Sequence, residues 1–166
     1  MFDLKRILIP VALVLGVVGV SVARADEAGQ PCYTLASLEG DFAVIGTYGA
    51  NVALALGLRH LDGKGNLTGT FTLNEPTADS TTAARTIVTG TQLGTYAVNC
   101  DGTGTITRTV TASNGVTATQ TDDFVITHAI WKDDHLVATA LQDAQRTPSA
   151  IVAGGIFLIR NWSRLP

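Results

Sequence analysis

The residues of this chain that could perform chemistry are few and widely spaced. It has three histidines, His60, His128 and His135, and a metal or acid–base site would need some of them to converge. His128 and His135 flank a short Lys-Asp-Asp turn, so they could face each other across one hairpin. None of the three has the H-x-H or H-E-x-x-H spacing that is typical of zinc sites. We therefore predict turn-adjacent or solvent-facing imidazoles, with no metal site and no cofactor.

The carboxylates and serines do not predict a hydrolase either. Asp122 and Asp123 are adjacent, but neighbouring residues on a strand point to opposite faces and cannot act as a dyad. No serine lies in a G-x-S-x-G motif, which argues against a serine hydrolase. The other carboxylates considered, which we expect on the solvated surface or in loops, are Glu39, Asp41, Glu75 and Asp79.

A ligand pocket is the functional feature that the pattern supports best. Small residues occupy alternate positions at Ala53, Ala55 and Gly57, and again at Ala138 and Ala140, which would leave room inside a barrel. An interior filled by Leu, Ile, Val and Phe is equally consistent with the sequence. The side chains that could add polar contacts to a ligand are Tyr48, Arg59, Arg85, Tyr96 and Arg108.

The elements that must position these residues are β-strands. Residues 38–160 alternate apolar and polar side chains in stretches rich in Val, Ile, Thr, Phe and Tyr, separated by Gly, Asn and Asp. Asp-Gly and Asn-Gly pairs predict tight hairpins, so the strands should follow one another as an antiparallel up-and-down barrel of about 8–10 strands. The predicted strands are approximately 41–48, 52–61, 66–73, 85–90, 93–99, 103–111, 116–121, 123–131, 135–141 and 151–160.

The N-terminus has the three parts of a secretory signal peptide. Two basic residues, Lys5 and Arg6, precede an apolar stretch that ends in Ala23-Arg24-Ala25, the A-x-A pattern of a cleavage site. The alternative is a retained membrane anchor, but an apolar run of roughly 16 residues falls short of the ~20 that a spanning helix needs. We therefore predict a signal peptide over 1–25, an N-terminal segment over 26–37 and a barrel domain over 38–166, in an exported, periplasmic or secreted protein without a stable membrane anchor.

The cysteines and the net charge restrict the compartment and the partners. Cys32 and Cys100 are the two cysteines, and in an oxidising compartment we expect them to form a disulfide that tethers the N-terminal segment. Without residues 1–25 the chain has 8 basic and 13 acidic residues. This acidic balance argues against nucleic acid as a partner, because nucleic-acid binding needs clustered Lys and Arg. The sequence does not indicate an oligomeric state.

Glycines at turns and at the start of strands carry a family resemblance. The segments concerned are Leu38-Glu39-Gly40-Asp41-Phe42-Ala43-Val44, Asp62-Gly63-Lys64-Gly65-Asn66-Leu67 and residues 94–107. In this order they resemble small exported bacterial proteins of unknown function, which are in turn similar to calycin-like barrels such as lipocalins and allene oxide cyclase-like proteins. The resemblance implies that Arg160, near the end of the last strand, is a barrel-closing arginine.

Three functions remain open at this level. The barrel could bind a small apolar or amphipathic ligand without catalysis, which is the interpretation we favour. The cyclase-like barrels imply the alternative of a cyclase or isomerase that acts on an apolar substrate in the barrel mouth. Thr-rich strands such as 103–121 suggest a third alternative, a structural or surface protein without a ligand.

Overall fold

A computed structural model of the chain describes residues 31–48, 53–76, 85–147 and 158–166. Each strand pairs antiparallel with the next, and the last pairs with the first to close the barrel. This confirms the all-β, up-and-down barrel. The predicted signal peptide lies outside the described residues. The strands are β1 (Gly40–Tyr48), β2 (Ala53–Leu61), β3 (Asn66–Pro76), β4 (Arg85–Val98), β5 (Thr103–Ala112), β6 (Thr117–Lys132), β7 (His135–Gln145) and β8 (Ile159–Arg164).

The barrel has eight strands because two pairs of predicted strands are each one continuous strand. β4 runs through the predicted break at residues 91–92, and β6 runs through the predicted break at Asp122. Each predicted break contains a polar residue, Gln92 or Asp122, that points into the barrel and is buried. A polar residue that points inward and has hydrogen-bond partners can lie in the middle of a strand. By sequence pattern alone, such a residue is typical of a turn.

The predicted hairpin turns have the backbone that their residues favour. Gly63, in the turn between β2 and β3, has a φ of +71°, a region that glycine enters without steric cost. Asp133 and Asp134 connect β6 to β7 with φ values of +48° and +61°, which matches a type I′ turn with two left-handed residues. These turns hold consecutive strands in register as hairpins.

One end of the barrel is covered by the N-terminal segment, and we call it the closed end. A disulfide joins Cys32 to Cys100, as the sequence predicts, and the Tyr33 amide donates to the Cys100 carbonyl at 3.1 Å. A 3-10 helix, η1 (Leu35–Leu38), then packs against β7 and β4. Leu38 at its end is fully buried in the barrel core.

The arginine that ties the last strand to the first is Arg164 and not Arg160. Its guanidinium lies 4.8 Å from the centre of the Phe42 ring, and it donates to the backbone carbonyls of Ser37, Glu39 and Ala138. It therefore links β8, β7, η1 and β1 at the closed end. Arg160, which was expected in this role, lies four residues earlier and points into the barrel interior.

The interior consists of two apolar layers with a polar layer between them. The layer at the closed end contains Phe42, Phe124 and Trp162, with the rings of Phe42 and Trp162 in an edge-to-face contact at 6.0 Å. The smaller layer lies at the opposite end, which we call the loop end because the connections between β1 and β2, β3 and β4, and β7 and β8 join the strands there. Its buried members are Leu73, Val88, Ala112 and Leu158.

Candidate functional site

The middle layer of the barrel is a ring of buried polar side chains, which we call the polar belt. Each member is at most 4% exposed, although arginine and aspartate are rarely buried unless they are paired. All but one of the strands from β2 to β8 contribute to it, so the belt surrounds the barrel axis. Its members are Arg59, Gln92, Arg108, Gln120, Asp122, Asp143 and Arg160.

Strand alternation and inward glycines create the space for these long side chains. The two strands without a belt residue, β1 and β3, place glycine at this level: Gly46 pairs with Arg160, and Gly69 with Arg59. A Cβ atom at Gly46 would lie 2.6 Å from Cγ of Arg160. Gly94 on β4 pairs with Arg108, and a Cβ there would lie 2.8 Å from the Arg108 Cβ. The inward glycines therefore leave the space that the neighbouring arginines occupy.

Asp143 on β7 accepts hydrogen bonds from three side chains. Nε of Arg160 donates to its Oδ1 at 2.7 Å, and Nη1 of Arg59 donates to its Oδ2 at 3.2 Å. The indole Nε1 of Trp162 also donates to Oδ2, at 2.9 Å. The carboxylate thus joins the belt to the apolar layer at the closed end.

Asp122 on β6 is the second anion of the belt. Arg108 donates from Nε to its Oδ2 at 2.8 Å and from Nη2 to its Oδ1 at 3.3 Å. Nη2 of Arg160 lies 2.7 Å from Oδ1 but outside hydrogen-bond geometry, so this contact is electrostatic. Burial disfavours the ionised carboxyl, but Arg160 and Arg108 outweigh it and hold the pKa of Asp122 below its ordinary value.

Arg59 is the least compensated cation of the belt. Its guanidinium stacks over the Trp162 ring at 4.1 Å, and its Nε is buried with no hydrogen-bond partner. Burial, together with repulsion from Arg108 and Arg160, lowers the pKa of Arg59 well below its ordinary value. In contrast, the attraction of Asp143 and Asp122 more than offsets burial at Arg160 and raises the pKa of that arginine.

A cavity of about 40 Å³ lies between the polar belt and the loop-end apolar layer. A single water needs roughly 10–15 Å³ by this measure, so the space corresponds to about three waters or one small ligand group. Its wall combines charged and amide groups with aliphatic and aromatic surface. The lining residues that the proposals below use are Arg59, Arg108, Arg160, Ala55, Leu73 and Leu158.

The structure brings two of the predicted polar site residues together at the cavity, Arg59 and Arg108. Arg85 lies exposed at the start of β4, where its Nε donates to the Asn74 side chain at 2.7 Å. Tyr48 is the last residue of β1, and its side chain lies outside the described residues. Among the small residues, Ala55 lines the cavity, whereas Ala138 is part of the closed-end layer.

Tyr96, the fifth predicted site residue, lies in the closed-end layer. It is 5% exposed, and its hydroxyl donates to the Leu35 carbonyl of η1 at 3.2 Å. Tyr96→Phe should lower the free energy of unfolding by about 1 kcal/mol, the usual net contribution of one hydrogen bond. Urea unfolding measures this loss. Ligand binding at the cavity should not change, and a binding defect in this variant would contradict the placement.

Five belt residues were not among the predicted site residues: Gln92, Gln120, Asp122, Asp143 and Arg160. The Asp122 side chain is fully buried, while that of Asp123 next to it is exposed. The opposite orientation of these two neighbours confirms that they cannot form a dyad. A usable signal was present, since Asp122, Asp143 and Arg160 each lie in step with the apolar positions of their strands.

The remaining chemistry-bearing residues lie apart from the belt. His60 is exposed and its Nδ1 lies 2.9 Å from Oδ1 of Asp41, while His135 lies beside the turn between β6 and β7. Within the described ranges, no group of three His, Cys, Asp or Glu side chains could hold a metal ion. Over the same residues, no helix is long and apolar enough to cross a membrane.

Comparisons with protein-family models, curated proteins and solved structures found no match to this chain.

Proposed function

We propose that this protein binds a small amphipathic molecule inside the barrel, between the polar belt and the loop-end apolar layer. The observation that carries the proposal is the cavity of about 40 Å³, whose wall is cationic on one side and apolar on the other. Ligand sites of proteins combine an apolar lining with a few convergent polar groups. A purely apolar molecule would place only carbon atoms against the arginine side of this wall, so an amphipathic ligand fits better.

Polarity along the barrel axis sets the orientation of the ligand. The closed end is filled by Leu38, Phe42 and Trp162, which are at most 1% exposed. Leu73 and Leu158 lie on the opposite side of the belt and line the cavity. The polar head of the ligand would therefore lie at the belt, with its apolar part directed towards the loop end.

Kinship with the calycin-like barrels is part of the same proposal. It is supported by the eight-stranded antiparallel barrel and by Arg164, which packs over Phe42 near the start of β1 and donates to the Ser37 carbonyl of η1. Ligand binding inside the barrel is what that resemblance implies. Fold analogy alone is a weak argument for function, so the cavity chemistry remains the main support.

Export from the cytoplasm is also proposed. The Cys32–Cys100 disulfide supports it, because structural disulfides persist mainly in oxidising compartments. Cleavage after Ala25 would give a mature chain that begins at Asp26. Mass spectrometry of the protein purified from its own host measures this directly, and a chain that still carries residues 1–25 would contradict cleavage.

The binding proposal is tested with four-carbon probes, butanoate and 1-butanol, because the cavity is small. Ligand-observed NMR, which detects weak binding, should show that at least one probe binds the wild-type protein. Ala55→Leu adds bulk at the cavity wall and should abolish that binding. The matched control is Ala144→Leu on the exposed face of β7, which should bind as the wild type does. Failure of both probes to bind the wild type, or unchanged binding in Ala55→Leu, would refute the proposal.

A further inference from the structure

The described side chains of the belt do not balance in charge. Three arginines, Arg59, Arg108 and Arg160, face two aspartates, Asp122 and Asp143. Since arginine stays protonated in proteins, these five groups hold a net charge of about +1 in a buried layer. An unpaired charge of this kind is costly in a protein interior, and an anion that enters the layer would be strongly favoured.

The excess charge is concentrated at Arg59. Asp122 forms ion pairs with Arg108 and Arg160. Asp143 contacts Arg160 and the Trp162 indole in addition to Arg59. The ion pair between Arg59 and Asp143 has an N–O distance of 3.2 Å. The shortest ion pairs of Arg108 and Arg160 have N–O distances of 2.8 and 2.7 Å. Nε of Arg59 remains without a partner, although the side chain is only 3% exposed and lines the cavity.

We infer that the head group of the ligand is a monoanionic carboxylate that pairs with Arg59. The inference rests on the proposed function, because it assigns the chemical class of the molecule that occupies the same cavity. One negative charge brings the described belt to neutrality. A carboxylate with a short aliphatic tail would contact Arg59 with its oxygens, and Leu73 and Leu158 with its carbons.

Other head groups match the site less well. An amine would raise the local charge to about +2, and a dianion such as phosphate would overshoot to about −1. An alcohol could accept a hydrogen bond but would leave the excess charge unpaired. Size also favours a carboxylate over phosphate, because a planar carboxylate is the smaller anion and the cavity is about 40 Å³.

The test compares butanoate, 1-butanol and butylamine, which have tails of similar length and differ in head-group charge. Butanoate brings a negative charge to the excess positive charge of the belt and 1-butanol does not, so butanoate should bind about ten- to a hundredfold more tightly than 1-butanol. Butylamine should not bind. The ¹⁵N NMR resonance of Arg59 Nε–H should shift on addition of butanoate, which locates the carboxylate at this group.

Two variants that remove the same charge provide the matched comparison. Arg59→Met leaves two arginines and two aspartates in the belt, and it should remove the preference for butanoate over 1-butanol. Arg146→Met, at an exposed arginine paired with Asp123, should leave that preference unchanged. A chemical-shift map of the folded Arg59→Met protein distinguishes loss of preference from loss of fold.

The outcomes separate the two proposals. If 1-butanol binds as tightly as butanoate and Ala55→Leu abolishes both, the ligand site stands and the carboxylate assignment is wrong. If neither probe binds, the proposed function itself fails. Butanoate preference that persists in Arg59→Met would also overturn the assignment of Arg59.

Discussion

Asp122→Asn should lower the free energy of unfolding by about 3–5 kcal/mol, the cost of breaking a buried ion pair by removing one partner. The substitution nearly preserves the side-chain volume, so packing is largely unchanged. It leaves Arg108 without its closest anion, which is 2.8 Å away, and raises the net charge of the described belt to about +2. Urea unfolding followed by tryptophan fluorescence measures the loss.

The neighbouring residue supplies the control. Asp123 pairs with Arg146, but both side chains are at least half exposed, and exposed ion pairs contribute about 0–1 kcal/mol. Asp123→Asn should therefore change the free energy of unfolding by less than about 1 kcal/mol. Equal losses in the two variants would show that burial of the belt does not determine its energetics.

The pH dependence of stability should separate Asp122→Asn from the wild type as well. The pKa of Asp122 is lower in the folded protein than its ordinary value of 3.8, so the folded state favours the ionised carboxyl. This contribution is fully present above the pKa of the unfolded chain and decreases as the pH falls below about 4 towards the folded-state pKa. The stability difference between wild type and Asp122→Asn should therefore shrink on acidification. A difference that stays constant from pH 6 to pH 2 would contradict the ionised, paired state of Asp122.

Removal of the disulfide should have an effect of similar size. Cys32 and Cys100 are 68 residues apart, and closing a loop of this length restricts the unfolded chain by about 4 kcal/mol in the chain-entropy treatment. A Cys32→Ala, Cys100→Ala double variant should lose roughly 2–5 kcal/mol of unfolding free energy. Urea unfolding of this variant is compared with the oxidised and the reduced wild type.

The reduced wild type is the appropriate control for this double variant, because it lacks the bridge but keeps both side chains. The two should unfold at similar urea concentrations, below that of the oxidised protein. The N-terminal segment should also loosen, since the bridge and the hydrogen bond from Tyr33 to Cys100 anchor it. Faster proteolysis near η1 would report this loosening. An oxidised wild type no more stable than the reduced protein would rule out a structural role for the bridge.

Local patterns were sufficient to predict the barrel. The hairpin turns depend on residues such as Gly63, whose positive φ is a property of the residue itself, and the strands depend on alternation between neighbours. The two predicted breaks that the structure corrects, at residues 91–92 and at Asp122, fail for one reason. A polar residue indicates a turn or a surface unless its partner is known, and Asp122 has its partner Arg108 on the adjacent strand.

The candidate site could be predicted only in part. Arg59 and Arg108 were recognised as polar candidates beside small inward residues, and both line the cavity. Arg85 and Tyr96 were chosen by the same reasoning, but the structure places one on the surface and the other beside η1. Residue type and approximate strand position do not distinguish a cavity residue from a surface or closed-end residue. The level of a residue along the barrel axis depends on the register of all eight strands.

The sequence by itself determined that this chain forms hairpins, that the hairpins form an antiparallel barrel, and that Cys32 and Cys100 can be joined. These properties depend on near neighbours or on the pairing of only two cysteines. Only the tertiary structure decided that three arginines and two aspartates share one buried layer. Arg59 and Asp143 are 84 residues apart, and barrel closure brings them within 3.2 Å, so neither residue type nor local spacing reveals their pairing.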